Sequence, residues 1–308
     1  MGTDLSVSRF RSPRMSGPYG RRERPEPPAP LREPTVDSHT HLDACGCIGA
    51  DDVRAVLDRA AAVGVPRVVT VADDLASARW VVDAANWDDR VSAAVALHPT
   101  RTAAVTDADR DEIERLARNP RVVAVGETGL DHYWDYSPWD AQEREFRWHI
   151  DLAKRLRKPL MIHDRDAHAD VLRILNEEGV PEAVVFHCFS GDAEMARTCV
   201  DAGYALSFAG PVTFKNAAGL RAAAALVPDD RLLVETDAPF LTPHPHRGRA
   251  NEPYCLPWTV RALAAIRGVT AERLAADARR TAETIFGLDG LPPAAASPSS
   301  GAPGTRST

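Results

Sequence analysis

Six side chains of metal-ligand type stand at the ends of short apolar runs: His39 and His41 in DSHTHL, Glu127 in VGETGLD, His163 in MIHDRDA, His187 in FHCFSG and Asp237 in ETDAP. Imidazoles and carboxylates converging from five strand ends compose a divalent-cation site. The chemistry of such a site is hydrolysis by an activated water. Each residue alone has a plainer reading, since a strand-end His often satisfies a loop carbonyl and a Glu can cap a loop amide. The set is more demanding. Buried carboxylates without partners are costly, so several brought to one place want a cation.

Within the set the roles divide. Strand alternation aims Asp37, His39 and His41 to one side, so two imidazoles can chelate one ion with Asp37 as a deeper support. Glu127 has two oxygens and is the natural bridge between two ions. Asp237 can ligate and also take a proton from the attacking water, with Glu235 two residues earlier orienting a ligand from behind. Arg165, Lys215 and Arg249 are candidate phosphate contacts; each could equally be a solvated or ion-paired surface charge, Arg165 with Asp166 or Asp170. Tyr133, Trp134, Tyr136 and Trp139 cluster after the fourth apolar run and can stack on bases or pack inward.

These residues need elements to carry them. Apolar runs at 35–41, 67–71, 92–97, 122–127, 160–163, 183–187, 204–207 and 232–237 read as strands. Amphipathic stretches at 50–63, 76–86, 107–118, 138–157, 167–178, 193–202 and 216–226 read as the helices between them, and two more follow at 256–266 and 271–285. Eight alternations of strand and helix, with strands apolar on both faces, predict an α/β fold closed as a (β/α)8 TIM barrel. An open doubly wound sheet would usually bring a Gly-rich phosphate loop after its first strand, and none is present. The ligand-type residues then fall at the C-terminal ends of strands 1, 4, 5, 6 and 8, the rim where barrels place their active sites.

The chain has 308 residues, and a barrel takes about 250. One domain over 34–287 is therefore expected, between a disordered Arg/Pro-rich leader (1–33) and a disordered tail (288–308). A net charge of -7 argues against a broad nucleic-acid-coating face, though not against a grip on one phosphate through cations. The cysteines are Cys45, Cys47, Cys188, Cys199 and Cys255; they are odd in number and lack a C-x-x-C pair, which predicts free thiols in a reducing compartment. Cys188, next to His187 on a strand, should point away from it and is not expected to be a nucleophile. With no long apolar run and no hydrophobic signal region, the expectation is a cytoplasmic protein with no membrane contact and no obligate protein partner.

The words DSHTHL, GETGLD, HDRDA, HCFSG, TFKNA, ETDAPFL and RGRANEP, in this order, resemble the TatD family of metal-dependent hydrolases within the amidohydrolase superfamily. The resemblance spans residues 35 to 286. It implies a TIM barrel whose divalent metal centre cleaves phosphodiesters, as a deoxyribonuclease of 3'-5' exonuclease type. Carried over by motif, His39, His41, Glu127 and Asp237 would hold one metal, and Glu127, His163 and His187 a second. Arg165, Lys215 and Arg249 would face the phosphate, and Asp237 and Glu127 would serve the water that two metals activate. Ala250 stands where a second adjacent basic residue is common. The cofactors implied are two divalent cations (Mg, Mn or Zn), and the substrate is nucleic acid, DNA or RNA. Two other readings stay open: hydrolysis of a small ester, lactone or amide, and a non-catalytic module that binds metal or nucleic acid.

Overall fold

Strands such as RVVTV and VSAAV carry apolar side chains on successive positions, so both of their faces must be covered. The computed structural model, which describes residues 23–291, covers them with helices outside and with each other inside. The strands are β1 (Val36–Thr40), β2 (Arg67–Val71), β3 (Val91–Val95), β4 (Val122–Asp131), β5 (Leu160–Arg165), β6 (Val184–Phe186), β7 (Ala205–Phe208) and β8 (Leu232–Val234). All neighbours pair in parallel, in the order β1 to β8. The helices are α1 (Ala50–Ala61), α2 (Leu75–Trp87), α3 (Asp107–Ala117), α4 (Trp139–Leu156), α5 (His168–Glu178), α6 (Ala193–Asp201), α7 (Ala218–Leu226), α8 (Leu256–Arg267) and α9 (Ala271–Phe286). The fold is the expected (β/α)8 TIM barrel.

Closure between β8 and β1 is slender and sits at the rim. Thr40 bridges Ala238, the His41 N–H donates to the Ala238 carbonyl at 2.8 Å, and the Asp237 N–H donates to the His39 carbonyl at 3.0 Å. The seam of the barrel is thus stitched by the residues expected to hold a metal.

Inside the barrel a compact cluster of Val69, Ala94, Ala124, Met161, Val185, Ala205 and Leu233 mixes small and large side chains to fill the interior. Phe286 and Leu288 join this cluster from the last helix and its exit, and so close the barrel away from the rim. A larger cluster lies between the sheet and the helix ring, drawn from faces such as Val53, Val56, Leu57 and Ala60 of α1. Asp74, Thr106, Asp192 and Thr270 cap the helices that follow them by accepting backbone N–H groups.

Three expectations need correction. The fourth strand does not stop at Glu127 but continues to Asp131, whereas the eighth stops at Val234, short of Asp237. Residues 23–33 of the expected leader form an extended strap instead of a disordered arm. Leu31 is buried in the outer core, the Leu31 N–H donates to the Val63 carbonyl at 3.0 Å, and Tyr254 Oη donates to the Pro25 carbonyl at 2.6 Å. Three buried apolar residues, Pro25, Pro28 and Leu31, and a row of backbone acceptors fix a segment that composition alone reads as disordered. At the far end Leu288 is buried and its carbonyl accepts from Arg67 Nη1 at 2.9 Å, so order extends into the expected tail as far as 291. Residues 1–22 and 292–308 of those tails lie outside the described residues. Among the described residues no helix is long and apolar enough to cross a membrane.

Candidate metal centre

Glu127 reaches the barrel mouth from the middle of β4, between two glycines. Both are demanded by the close approach of β5: a Cβ on Gly126 would overlap the Met161 side chain, and one on Gly129 (φ +135°) would overlap the His163 carbonyl oxygen. Asp237 leaves β8 in the left-handed region (φ 52°), which Asp tolerates better than most side chains. Its neighbour Thr236 is held by buried Asp37, which accepts from the Thr236 N–H at 2.9 Å and hydroxyl at 2.5 Å. Asn251 Nδ2 donates to the carbonyls of Thr236 (2.9 Å) and Phe240 (2.5 Å). The conspicuous RGRANEP word therefore contributes a buried brace for the Asp237 loop.

All six expected donors meet. Glu127 Oε1 lies 3.4 Å from His41 Nε2 and 3.7 Å from His39 Nε2, and Asp237 Oδ1 lies at the same 3.4 and 3.7 Å from those nitrogens on another side. Glu127 Oε2 lies 2.7 Å from His187 Nε2 and 3.3 Å from His163 Nδ1. One carboxylate therefore faces two histidine pairs, one with each oxygen.

The outward nitrogen of every one of these histidines is engaged. His41 Nδ1 meets the Val71 carbonyl (3.0 Å), His39 Nδ1 the Met161 sulfur (3.1 Å), His163 Nε2 the Asp131 carboxylate (3.0 Å) and His187 Nδ1 the Glu235 carboxylate (3.4 Å). Each partner is an acceptor, so the outward nitrogen carries the proton and the inward one has its lone pair free. That is how ligating histidines are oriented. It also leaves His39 Nε2 and His41 Nε2 facing each other across 3.2 Å. Two lone pairs at that separation repel unless a proton or a cation lies between them, so the donor set fits a divalent ion. Asp37, Asp131 and Glu235 stand behind it as supports.

Charge is distributed accordingly. Burial pushes His39 down to about 4 and keeps it neutral at pH 7. Burial works against charge on His187 too, yet Glu127 and Glu235 beside it hold this imidazole well above its ordinary value. For His41 the carboxylates of Asp73, Asp237 and Glu127 outweigh burial in the same direction, and for His163 the bonds to Asp131 and Glu127 do. Burial would raise the Glu127 carboxyl, but the imidazoles around it, His187 foremost, hold it well below the usual range. Where no ion is bound, protons occupy its place.

The three basic candidates are not drawn into this cluster. Arg165 is exposed with its guanidinium carbon 3.9 Å above the Tyr133 ring, pairing with neither Asp166 nor Asp170. Lys215 is exposed on the loop after β7. Arg249 lies 3.5 Å from Glu23 of the N-terminal strap. Cys188 donates its N–H to Glu235 at 2.7 Å, and burial followed by the nearby carboxylates pushes its thiol well up, against any nucleophilic role. All five cysteines are free.

Two neighbours of the site were not among the expected site residues. Asp131 lay inside the GETGLD word, but a strand ended at Glu127 hides it. His98 follows an apolar run as His163 and His187 do, which was a usable signal. Its Nδ1 accepts the Thr100 N–H at 3.1 Å, so the neutral ring carries its proton on Nε2, 3.9 Å from Glu127 Oε2. Burial lowers it to about 3. His98 thus turns a hydrogen-bond donor toward the centre, not a lone pair.

A family profile described as TatD related DNase matches residues 36–287. The chain belongs to the TatD family. An uncharacterised metal-dependent hydrolase, TatD, of Mycobacterium tuberculosis is 61% identical over 258 residues, covering 82% of this chain and 98% of that protein. A protein of Musicola paradisiaca named 3'-5' ssDNA/RNA exonuclease TatD is 39% identical over 199 residues, 62% of this chain and 75% of its own length. Among solved structures, YJJV, a TatD homologue from Escherichia coli K12, superposes with a TM-score of 0.77 at 29% identity, over 82% of this chain and 98% of that one. The TatD-family chain is accordingly a metal-dependent hydrolase, and the histidine and carboxylate cluster at its barrel mouth can bind metal.

Proposed function

We propose that this TatD-family hydrolase is a phosphodiesterase that removes nucleotides from the 3' ends of nucleic acid, using two divalent cations (Mg, Mn or Zn) shared by Glu127. The observation that carries the reading is the Glu127 carboxylate with one oxygen toward His39 and His41 and the other toward His163 and His187. His39, His41 and Asp237 with Oε1 would hold one cation; His163 and His187 with Oε2 would hold the other. Bound there, the pair would lower the pKa of a water and neutralise charge on a phosphoryl oxygen, the task two-metal sites perform on phosphate esters. Asp237, a carboxylate at the mouth, takes the proton released by the attacking water. Asp131 and Glu235 hold the rings of His163 and His187 in the productive tautomer. His98 offers its Nε2–H to an oxygen of the substrate. The exonuclease name carried by the Musicola relative supports a nucleic-acid substrate, and unpaired cysteines suit a cytoplasmic setting.

The test is release of nucleotides from a labelled single strand by protein stripped with chelator and resupplied with one metal at a time. His163→Ala is expected to lower the rate by about a hundredfold or more, since it removes both a ligand and the ring that Asp131 orients. Equal release by the two proteins, or wild-type turnover confined to esters, lactones or amides, overturns the assignment.

Metal uptake should be coupled to proton loss. His187, His41 and His163 are held above the ordinary imidazole value in the ion-free protein, so they keep their protons to higher pH than a free imidazole and must lose them to ligate. Affinity therefore rises with pH until those raised values are passed, then levels off. His39, already neutral above about 4, adds nothing in that window. Calorimetric titration with Mn or Zn at pH 7, in buffers of different ionisation enthalpy, should report more than one proton released per protein. A count of zero contradicts the ligand set.

A further inference from the structure

The loop that joins β4 to α4 displays more aromatic surface than a barrel loop needs. Tyr133 is 55% exposed, Trp134 41% and Trp139 60%. Tyr133 and Trp134 lie side by side, ring centroids 4.8 Å apart, and large exposed rings so grouped call for a partner. They are also held in place. Asp131 N–H donates to Gln142 Oε1 at 2.8 Å, and Gln142 Nε2 donates to the Asp131 and Ser137 carbonyls, both at 3.0 Å, so one buried side chain of α4 pins both ends of the loop. Trp134 stacks on Tyr136 (centroids 5.3 Å apart, 7° between planes), and Trp139 stacks on His132 (4.2 Å, 21°). The Arg165 guanidinium sits over Tyr133 at 3.9 Å and near Trp134 at 5.7 Å. Among the described residues Arg165 pairs with no carboxylate.

A single carboxylate ties this surface to the metal centre. Asp131 Oδ1 accepts the N–H groups of Tyr133 (3.0 Å) and Trp134 (2.9 Å), while Oδ2 meets His163 Nε2 at 3.0 Å. The aromatic loop is therefore registered against a histidine of the hydrolytic site through one side chain. We propose that Tyr133 and Trp134, with Arg165 against both, are a stacking platform for unpaired bases of a single strand whose terminal phosphate enters the metal centre. The proposal rests on the phosphodiesterase reading for what lies at the mouth, and adds which side chains hold the bases of the strand. Rings with a guanidinium between them suit a chain that alternates flat π-faces with negative charge. An apolar peptide would leave that cation unanswered. Duplex ends are poor occupants, because their bases are already stacked on one another.

The proposal is tested by binding, not by turnover. Full-length protein in chelator is titrated into a fluorescently labelled strand of about twelve nucleotides, and anisotropy is compared for three forms. These are the intact strand, the same strand with tetrahydrofuran abasic residues at its 3' end, and a blunt duplex. The intact strand should bind about tenfold tighter than the abasic one, the size of one base–aromatic stack. Tyr133→Ala with Trp134→Ala should bring that ratio close to one, while Tyr133→Phe with Trp134→Phe keeps most of it. Equal wild-type affinity for intact and abasic strands overturns the platform, as does a ratio that survives the double alanine change. If the alanine protein does not fold, the wild-type comparison still decides. A base preference without nucleotide release in any metal would instead sink the phosphodiesterase reading and leave the platform standing.

Discussion

Glu127→Gln is expected to abolish stoichiometric metal uptake and to lower hydrolysis by at least about a thousandfold, because several kcal/mol of charge stabilisation are lost at once. Glutamine keeps the size of the side chain but has no negative charge, and only one of its two terminal atoms is an acceptor. Both histidine pairs therefore lose the partner between them. The change also shows in the ion-free protein. Glu127 and Glu235 together lift His187 against burial, so with Gln at 127 only Glu235 still opposes burial and the imidazole titrates lower. The sign of the stability effect follows. The wild-type pair is stabilising above the ordinary carboxylate range, where Glu127 is charged, and is lost as pH rises through the raised His187 value. The variant should lack that window, so its melting temperature near pH 6 should fall toward its value at high pH. Elemental analysis after dialysis, initial rates and melting curves at two pH values check all three. If Glu127→Gln retains two metals per chain and a rate within tenfold of wild type, the carboxylate is not the bridge.

Much of this was legible in the residues. An apolar run ending in a buried-type imidazole or carboxylate is hard to reconcile with any fold that does not gather such ends, and His39, His41, His163, His187, Glu127 and Asp237 were identifiable on that ground. The barrel was legible because eight apolar runs separated by helix-length amphipathic stretches leave few alternatives. What was not legible depended on contacts between distant segments. The strand expected over 122–127 runs on to Asp131, through Gly129, and Gly126 and Gly129 are glycines because β5 packs against them, a contact that the local sequence does not encode. His98 could be placed at the rim from its apolar run, but its tautomer is set by the Thr100 N–H, which no periodicity encodes. Arg165 could not be assigned between an ion pair and a phosphate contact, and it does neither within the chain, lying over Tyr133. The strap at 23–33 was hidden because its anchors, Tyr254 and the Val63 carbonyl, belong to elements far along the sequence.

Gly129→Ala should destabilise the protein by about 3–5 kcal/mol, combining a backbone conformation alanine rarely adopts with a steric overlap in a packed interior. The position pairs with His163 across the β4–β5 ladder, at φ +135°. An alanine Cβ there would overlap the His163 carbonyl oxygen and press on the Ile162 side chain. That oxygen belongs to backbone, so relief requires β5 to move away from β4 at the point where His163 turns toward Glu127 and Asp131. A melting temperature lower by about 10 °C is the expected scale for a chain of this size, and metal affinity should fall along with it. Gly268 is the control. Its φ is +66°, yet nothing lies within 4 Å of where a Cβ would stand, so Gly268→Ala bears the backbone penalty alone, about 1 kcal/mol. The difference between the two variants measures the steric part, and only the first should disturb the metal centre. Should Gly129→Ala match Gly268→Ala in both stability and metal content, β4 and β5 do not approach closely enough to fix His163, and the positioning argument for that ligand fails.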